Sequence, residues 1–505
     1  MRHPVHKWAF TAFCLLALGG APGCRTNPVT GLPELSVVSP ETALALGDQM
    51  YPNVIFMYDG EYRDADLKRY LGTIVMRLQS CSHRQDLPAD FTVLNTSVVN
   101  AFAMPGHGAV AVRSPRRTSG DSGSSSLKES ALDGIVHVYA TRGLVARLEN
   151  EAEFASAMGH EIAHVAAGHT AKALTTQVFT GLALDLADLA AGQSAAGHFA
   201  VSAGQASVAL LGLSYSREQE IQADRVGTYY MALAGWDPRQ AVVMQRLVDS
   251  LSHSKATVLD KYLSTHPPTQ ERIRETEAVI YEKKLSGGRL LQGDGIYAAR
   301  WARHTAQLRE VDRAFASYDR GMKALAEGKP EVALQEVQDA ILKRGDQTQF
   351  HRLKGDALQA LNRLPEAKAA YDKSLSLDPR YVLANNGLGR ELLREGNWAG
   401  AEAQFAIAAH GYPNSLLAWY GLGVARYKLE RYGDAVGPLE KVAGSQPDDA
   451  VVRYMLGVCC DKTGRLADAY ESYRKAVALG LSGPEREQAI SRASALQAYG
   501  PPGSK

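Results

Sequence analysis

Two histidines and a glutamate occur together in the segment His160-Glu161-Ile162-Ala163-His164. A spacing of four residues places both imidazoles on one face of a helix, one turn apart, so that both can bind the same metal ion. Glu161 then lies beside the open coordination position, where a carboxylate can act as base for a metal-bound water. This segment therefore predicts a hydrolytic zinc site.

A catalytic zinc ion needs a third protein ligand and keeps water in its fourth position. A third histidine six residues after His164 is excluded, because that position is Thr170 and His169 lies one place before it. A glutamate on a second helix is the other common solution, and Glu220 lies 56 residues after His164. Asp224, one turn further on, can accept the N–H of a ligating histidine and fix its tautomer. A solvated acidic helix face is the alternative, but the upstream histidine pair favours the metal site.

Hydrophobic periodicity predicts the elements that must position these residues. We expect helices at 64–79, 151–172 and 217–234, and strands at 91–94 and 135–140. Residues 112–134 contain seven serines and are interpreted as a mobile insertion. Residues 189–216 carry no charged side chain apart from His198. Their Gly, Ala, Ser and Gln content favours a soluble helical pair over a membrane span.

The C-terminal part of the chain repeats with a period of 34 residues. Small residues keep two separate phases of this period, an aromatic or aliphatic residue follows each alanine by four, and a proline ends several repeats. This pattern is typical of tetratricopeptide repeats, which stack to form a concave groove for peptides or partner proteins. We therefore expect five repeats rather than an unrelated Ala-rich bundle. The repeating positions are Gly321, Gly355, Gly389, Gly423 and Gly457, with Ala333, Ala367, Ala401, Ala435 and Ala469.

The first 24 residues have the features of a secretory signal. Arg2 and Lys7 precede an apolar run, and small residues lead to Cys24. The segment resembles a bacterial lipoprotein signal with Cys24 as the lipidated first residue, although Leu is usual three places before that cysteine. Plain signal cleavage and an uncleaved anchor are the alternatives. We expect a periplasmic protein that a lipid holds at the outer membrane.

Overall composition excludes several classes of protein. The 505 residues are 45% hydrophobic and 22% charged, which is ordinary globular usage and excludes a wholly disordered or fibrous chain. The 55 basic and 54 acidic residues balance, so the chain has no electrostatic footprint for nucleic acid. Five cysteines are too few for a disulfide framework or a cysteine-based zinc site.

Five sequence strings, in order along the chain, resemble the soluble, secreted branch of the CAAX-prenyl-protease-type zinc metallopeptidases. In architecture the chain is most similar to the periplasmic BepA-like proteases, which carry C-terminal tetratricopeptide repeats. The strings are NAFAMPG at 100–106, TRGL at 141–144, HEIAHVAAGH at 160–169, YSREQEIQAD at 215–224 and STHPPTQERI at 264–273.

The resemblance implies a role for each candidate site residue. It implies one zinc ion bound by His160, His164 and Glu220, with Glu161 as general base and Asp224 behind the ligands. It also implies that His266 and Arg272 lie near the reacting carbonyl, where either could donate to the oxyanion. Finally, it implies that substrate backbone adds to a sheet edge at the strand 135–140.

The chain departs from the family pattern at two places. Gly168 stands where the family usually has Arg, and the Ser-rich insertion separates NAFAMPG from the strand that normally follows it closely. The insertion lies where substrate would enter, so it either changes substrate access or is a tolerated surface loop. The remaining histidines are interpreted as packing or loop residues rather than ligands; these are His107, His137, His169 and His198.

Together these observations predict a mainly α-helical protein with two folded parts. The first is an α+β zincin-type metalloprotease domain with a small β-sheet, and the second is an all-α tetratricopeptide solenoid. The predicted boundaries are a signal at 1–23, the protease domain at 24–290 with its insertion at 112–134, a linker helix at 291–313, repeats at 314–483, and a capping helix and tail at 484–505.

The predicted function is zinc-dependent endopeptidase activity in the bacterial cell envelope. Its substrates would be misfolded or misassembled envelope and outer-membrane proteins, with the repeats binding substrate or the outer-membrane assembly machinery. The alternative is a chaperone or assembly scaffold with minor or latent proteolysis. In a third possibility, His266 or the segment 189–216 fills the fourth zinc position of the resting enzyme and displaces the water.

Overall fold

A computed structural model describes residues 23–36, 40–106, 134–173, 175–176, 215–252, 266–285 and 293–500. The chain divides into two compact units, Met1–Asp312 and Arg313–Lys505. The predicted signal, the Ser-rich insertion and the uncharged segment 189–216 lie almost entirely outside the described residues. The domain boundaries given above stay predictions.

The described residues of the first unit form two small sheets. An antiparallel hairpin pairs β1 with β2, and a three-stranded sheet has the order β3-β5-β4, with β3 parallel and β4 antiparallel to β5. The strands are β1 (Gly23–Thr26), β2 (Pro33–Ser36), β3 (Ala89–Leu94), β4 (Ala101–Gly106) and β5 (Ile135–Thr141).

The expectation that the strand 135–140 offers a sheet edge to substrate is wrong. β5 is the central strand, and its backbone is paired on one side with β3 and on the other with β4. A central strand has no free row of donors and acceptors, so another chain cannot add to it. The outer strands of this sheet are β3 and β4.

The N-terminal hairpin contains Cys24, which lies in β1 opposite Leu35 of β2. The hairpin turn is tied to the rest of the unit by Asn27, whose Nδ2 donates to the carbonyl of Ala167 at 3.0 Å. Among the described residues, no helix is both long and apolar enough to cross a membrane. Lipidation of Cys24 stays a prediction.

Among the described residues, seven named helices lie within the first unit and an eighth begins there, besides a short helical stretch at residues 169–173. The helix with the two histidines, α4, is buried all round except at Ser156, so its neighbours cover every face. The helices are α1 (Pro40–Met57), α2 (Ala65–Ser80), α3 (Arg142–Arg147), α4 (Glu151–Ala166), α5 (Arg217–Leu233), α6 (Arg239–Ser252), α7 (Gln270–Glu282) and α8 (Ala298–Ala326).

The helix predicted at 151–172 ends earlier in the structure, at Ala166. Asn150 caps its beginning, where the Asn150 side chain accepts from the N–H of Glu153. At its end Gly168 adopts φ +69°, a left-handed conformation that glycine reaches without steric cost and that stops helices. The chain therefore turns after Gly168, which changes the direction in which His169 points.

Helices α4 and α5 approach each other so closely that their backbones touch. A Cβ atom on Gly227 would lie 2.6 Å from the backbone nitrogen of His160, and one on Gly159 would lie 3.0 Å from the carbonyl of Gly227. Only glycine allows this approach. Gly227 lies two turns after Glu220 on the same helical face, so the contact brings Glu220 toward the histidines of α4.

The second unit consists of antiparallel helix pairs followed by a final helix. Each pair spans one 34-residue period. Besides the end of α8, its helices are α9 (Pro330–Lys343), α10 (Thr348–Ala360), α11 (Leu364–Leu377), α12 (Val382–Arg394), α13 (Trp398–Gly411), α14 (Leu416–Lys428), α15 (Tyr432–Ser445), α16 (Ala450–Lys462), α17 (Leu466–Ala478) and α18 (Pro484–Ala495).

The small residues of the repeat lie where paired helices meet. A Cβ on Gly389 would lie 2.9 Å from the ring of Phe405, and one on Gly457 would lie 2.9 Å from the ring of Tyr473. The repeated alanines, such as Ala401, are fully buried. The glycines therefore make room for the large residue that follows each alanine by four. The structure confirms the predicted mainly α-helical fold, with a small sheet in the first unit and tetratricopeptide-like helices in the second.

Candidate active site

Four potential metal ligands meet in the first unit. One donor atom from each of His160, His164, Glu220 and His266 lies within 4.8 Å of the others, and all four residues are buried. The two histidines lie one turn apart on α4, Glu220 lies in the first turn of α5, and His266 precedes α7. A capping box at Ser216 fixes the start of α5 and with it the position of Glu220.

The spacing of three of these residues fits one tetrahedral metal ion. Nε2 of His164 lies 3.0 Å from Nε2 of His160 and 3.3 Å from Oε1 of Glu220, and Nε2 of His160 lies 3.6 Å from Oε2 of Glu220. Ligand atoms about 2.0–2.1 Å from a tetrahedral zinc ion are about 3.3–3.4 Å apart. Two imidazoles and a carboxylate also suit zinc chemically.

His266 lies beside this set rather than apart from it. Its Nδ1 is 3.0 Å from Oε1 of Glu220 and 3.3 Å from Nε2 of His160, while its Nε2 is 3.6 Å from Oε1 of Glu161. Burial would lower the pKa of His266, but the carboxylates of Glu220 and Glu161 outweigh burial and raise it. His266 therefore occupies the region in which a fourth ligand would lie.

Glu161 faces the same region without belonging to the ligand set. Its side chain is buried, and its Oε1 accepts no hydrogen bond from any described residue. Burial raises the pKa of this carboxyl group. A buried carboxylate with a free lone pair and a raised pKa is suited to accept a proton from water.

Asp224 and Arg272 support the ligands from behind. Oδ1 of Asp224 lies 2.9 Å from Nδ1 of His160. Arg272 donates from Nε and Nη2 to the Asp224 carboxylate, at 2.6 and 2.8 Å, and its Nη1 lies 2.7 Å from Oε2 of Glu220. Burial would raise the pKa of Asp224, but Arg272 outweighs burial and lowers it to about 2. The guanidinium thus holds two carboxylates in place, and a role at the reacting carbonyl stays a prediction.

Sequence reasoning missed two residues that contact His164, and a third that contacts one of them. The ring of Tyr215 stacks on the His164 ring, with centroids 3.9 Å apart and planes at 27°. Nδ1 of His169 lies 3.0 Å from Nδ1 of His164, and Nε2 of His169 lies 2.9 Å from Oε1 of Gln222. Burial lowers the pKa of His169 to about 4. The signal for His169 was its place five residues after His164, just past a glycine.

His137, which the structure describes, lies away from this site. In β5, Nδ1 of His137 lies 2.9 Å from Oδ1 of Asp90. His107 and His198 lie outside the described residues.

A pocket adjoins the ligand cluster between α4, α5, α6 and α7. Its wall near the cluster is polar, with His160, His266 and Arg272, and its other walls are mainly apolar. The apolar part includes Ala157, Ala241, Met244, Val248 and Ile273.

Comparison with known families decides the classification of both units. Residues 132–280 match the model of peptidase family M48. This segment is an M48 peptidase domain. Residues 318–382, 386–450 and 425–484 match the tetratricopeptide repeat model. The resemblance stated from the sequence strings is thereby confirmed.

Several curated proteins are similar to part of this chain. The mitochondrial metalloendopeptidase OMA1 of Arabidopsis thaliana is 27% identical over 226 residues, which cover 42% of this chain and 37% of that protein. The beta-barrel assembly-enhancing protease of Escherichia coli K12 is 24% identical over 277 residues, covering 52% and 50%. A putative beta-barrel assembly-enhancing protease of Vibrio cholerae is 28% identical over 279 residues, covering 53% and 51%.

These alignments span about half or less of the length of each relative. Among solved structures, the tetratricopeptide protein YrrB is 24% identical, and the match covers 32% of this chain and 82% of YrrB with a TM-score of 0.30.

Proposed function

We propose that this chain is a zinc-dependent endopeptidase of the bacterial cell envelope. The observation that carries the proposal is the convergence of His160, His164 and Glu220 at the spacing of a tetrahedral site, with Glu161 buried beside them. The match to the M48 peptidase family supports the same proposal.

Zinc in this site would supply a Lewis acid and lower the pKa of a bound water toward neutrality. Glu161, whose pKa is raised by burial, is the base beside this position that would accept a proton from such a water. Asp224 and Arg272 keep the ligands oriented through the contacts described above. His266 is close enough to the ligands and to Glu161 to donate to a developing oxyanion.

The proposed substrates are misfolded or misassembled envelope and outer-membrane proteins. Support comes from relatives whose names record a role in beta-barrel assembly, and from the repeats, an architecture that binds peptides and proteins. The repeats would hold the substrate or the outer-membrane assembly machinery. We place the protein in the periplasm, with a lipid at Cys24 as its proposed membrane anchor.

Metal content and proteolysis together test this proposal. Purified protein is expected to contain about one zinc ion per chain and to cleave an unfolded substrate such as casein. A chelator should abolish cleavage, and added zinc should restore it. Protein that binds zinc tightly but cleaves no unfolded substrate, even with His266 replaced, would contradict the proposal.

The position of His266 favours a second candidate function, an assembly scaffold with latent proteolysis. Nδ1 of His266 lies among the ligand atoms, within 3.3 Å of His160 and 3.0 Å of Glu220, so this arrangement leaves little room for a water at the fourth position. A Glu161→Gln protein that still complements a deletion strain would favour the scaffold function.

If His266 keeps the site latent, as in this second candidate function, replacing it by alanine is expected to raise casein cleavage while the zinc content stays the same. Three ligands remain, and removal of the imidazole frees the fourth position for water. If the site is open in about one molecule in ten, turnover can rise at most about tenfold. Cleavage assays and metal analysis of the purified variant check this expectation.

His137→Ala is the matched control, because His137 is also buried in the first unit but contacts Asp90 instead of the ligand cluster. A fall in turnover with zinc retained would contradict the expected rise and would assign His266 to the oxyanion.

A further inference from the structure

The ring nitrogen of His164 that points away from the ligand cluster has a partner that neither the motif nor the proposed mechanism uses. Nδ1 of His164 meets Nδ1 of His169, and His169 meets Gln222 through its other nitrogen. We propose that His169 and Gln222 are positioning residues that fix the tautomer of His164, so that its Nε2 lone pair faces the metal. This inference rests on the proposed function only in that the site binds a metal ion.

The contacts form a continuous series of hydrogen bonds from α5 to the ligand cluster. We call this series, from Gln222 through His169 to His164, the relay. Oε1 of Gln222 lies 2.9 Å from Nε2 of His169, and the two imidazole Nδ1 atoms of His169 and His164 lie 3.0 Å apart. Both histidines are almost fully buried, with 2% and 1% of their surface exposed. Of two buried nitrogens at this distance, one must donate and the other must accept. Two lone pairs or two N–H groups that face each other away from water would be costly.

The direction of these hydrogen bonds follows from which atoms can donate and which can accept. An amide oxygen can only accept a hydrogen bond, so Nε2–H of His169 donates to Oε1 of Gln222. Nδ1 of His169 then carries no proton and is an acceptor, so Nδ1–H of His164 donates to it. A neutral imidazole carries one proton, so Nε2 of His164 is left with its lone pair toward Glu220 and His160. The opposite direction would put a proton on Nε2 of His164 and prevent metal binding.

The two histidine ligands are therefore supported differently. His160 faces the carboxylate of Asp224 at 2.9 Å, whereas His164 faces an uncharged imidazole. A carboxylate partner makes a histidine ligand more basic than a neutral partner does. The turn at Gly168 makes the second arrangement possible, because a helix continuing past Ala166 would carry His169 in another direction.

Zinc affinity of the full-length chain tests the inference independently of proteolysis. The Gln222→Leu and His169→Leu variants remove the relay, and their zinc dissociation constants, measured by chelator competition, are expected to rise about 10- to 100-fold. The Gln222→Glu variant keeps only acceptor atoms, and the His169→Asn variant keeps an acceptor near the Nδ1 position. Both are expected to stay within about threefold of the parent protein.

The absorption spectrum of the cobalt-substituted protein gives a second readout. It should change in the two Leu variants and be preserved in Gln222→Glu and His169→Asn. Unchanged zinc affinity in both Leu variants, or equal losses in Gln222→Leu and Gln222→Glu, would overturn the inference. If His169→Leu does not fold, the Gln222 pair decides the question. The control is His137→Leu, which removes a buried histidine bonded to Asp90 and should leave zinc affinity unchanged.

These outcomes separate the relay from the proposed function. A protein that binds zinc with relay-dependent affinity but cleaves nothing would leave the relay standing and remove the peptidase. A peptidase whose zinc affinity does not change when His169 or Gln222 is replaced would support the proposed function and overturn the relay.

Discussion

Replacing Glu161 by glutamine is expected to lower casein cleavage at least about 100-fold while leaving the zinc content unchanged. Glutamine has nearly the same shape as glutamate but cannot take a proton from water, and a positioned general base typically contributes about 10²- to 10⁴-fold. Glu161 does not belong to the ligand cluster, so the metal site itself should persist. Turnover of casein and metal analysis of the same preparation measure both quantities.

Glu153 provides the matched control for this experiment. It is also a buried glutamate on α4, but its carboxylate accepts from the N–H of Glu149 and from Asn150 and does not face the ligands. The Glu153→Gln variant should therefore retain most of the activity, with a small loss of stability at most. Cleavage that survives in Glu161→Gln, or that falls equally in both variants, would remove Glu161 from its role as base.

The sequence was sufficient for the residues that lie close together for local reasons. Helix geometry alone places His160 and His164 on one face, and the same geometry relates Glu220 to Asp224. That these two helices meet was an inference from motif chemistry, and the structure brings all four side chains together. The Gly159 and Gly227 contact explains how the helices come so close.

Features that depend on long-range pairing could not be predicted in the same way. The strand 135–140 has a recognisable pattern, but its neighbours are set by pairing with β3 and β4, so its central place in the sheet was missed. His169 was placed on a continuing helix because the helical pattern extends to residue 172. Gly168 ends that helix and turns His169 back toward His164.

The repeats show the opposite case, in which the 34-residue period alone predicts most of the secondary structure. Each repeat contacts mainly its neighbours, so a 34-residue spacing is enough to predict helix pairs. The reason for each glycine was not visible in the sequence. The structure supplies it, because Gly389 and Gly457 face the rings of Phe405 and Tyr473. What the resulting surface binds is not encoded in the period, so it stays within the proposed function.

Replacing Gly227 by alanine is expected to destabilise the protein and weaken zinc binding together. Elsewhere in a helix this change is favourable by about 0.5–1 kcal/mol. At Gly227 the new Cβ would lie 2.6 Å from the backbone nitrogen of His160 and 2.7 Å from the backbone carbon of Gly159, and neither atom can rotate away. Helix α5 must therefore move away from α4, at a cost of about 1–3 kcal/mol in the free energy of unfolding.

The same movement displaces Glu220, which lies two turns before Gly227 on the same face of α5, away from the histidines. We expect the zinc dissociation constant to rise about 10-fold or more, because first-row metal ligands must keep their distances within about 0.2 Å. Urea unfolding of the zinc-free protein and chelator competition measure the two effects. Gly444→Ala is the control, since Gly444 lies in α15 and a Cβ added there would have nothing within 4 Å, so that variant should be unchanged or slightly stabilised. If Gly227→Ala matched this control in both measurements, the close approach of α4 and α5 would not be what holds Glu220 at the site.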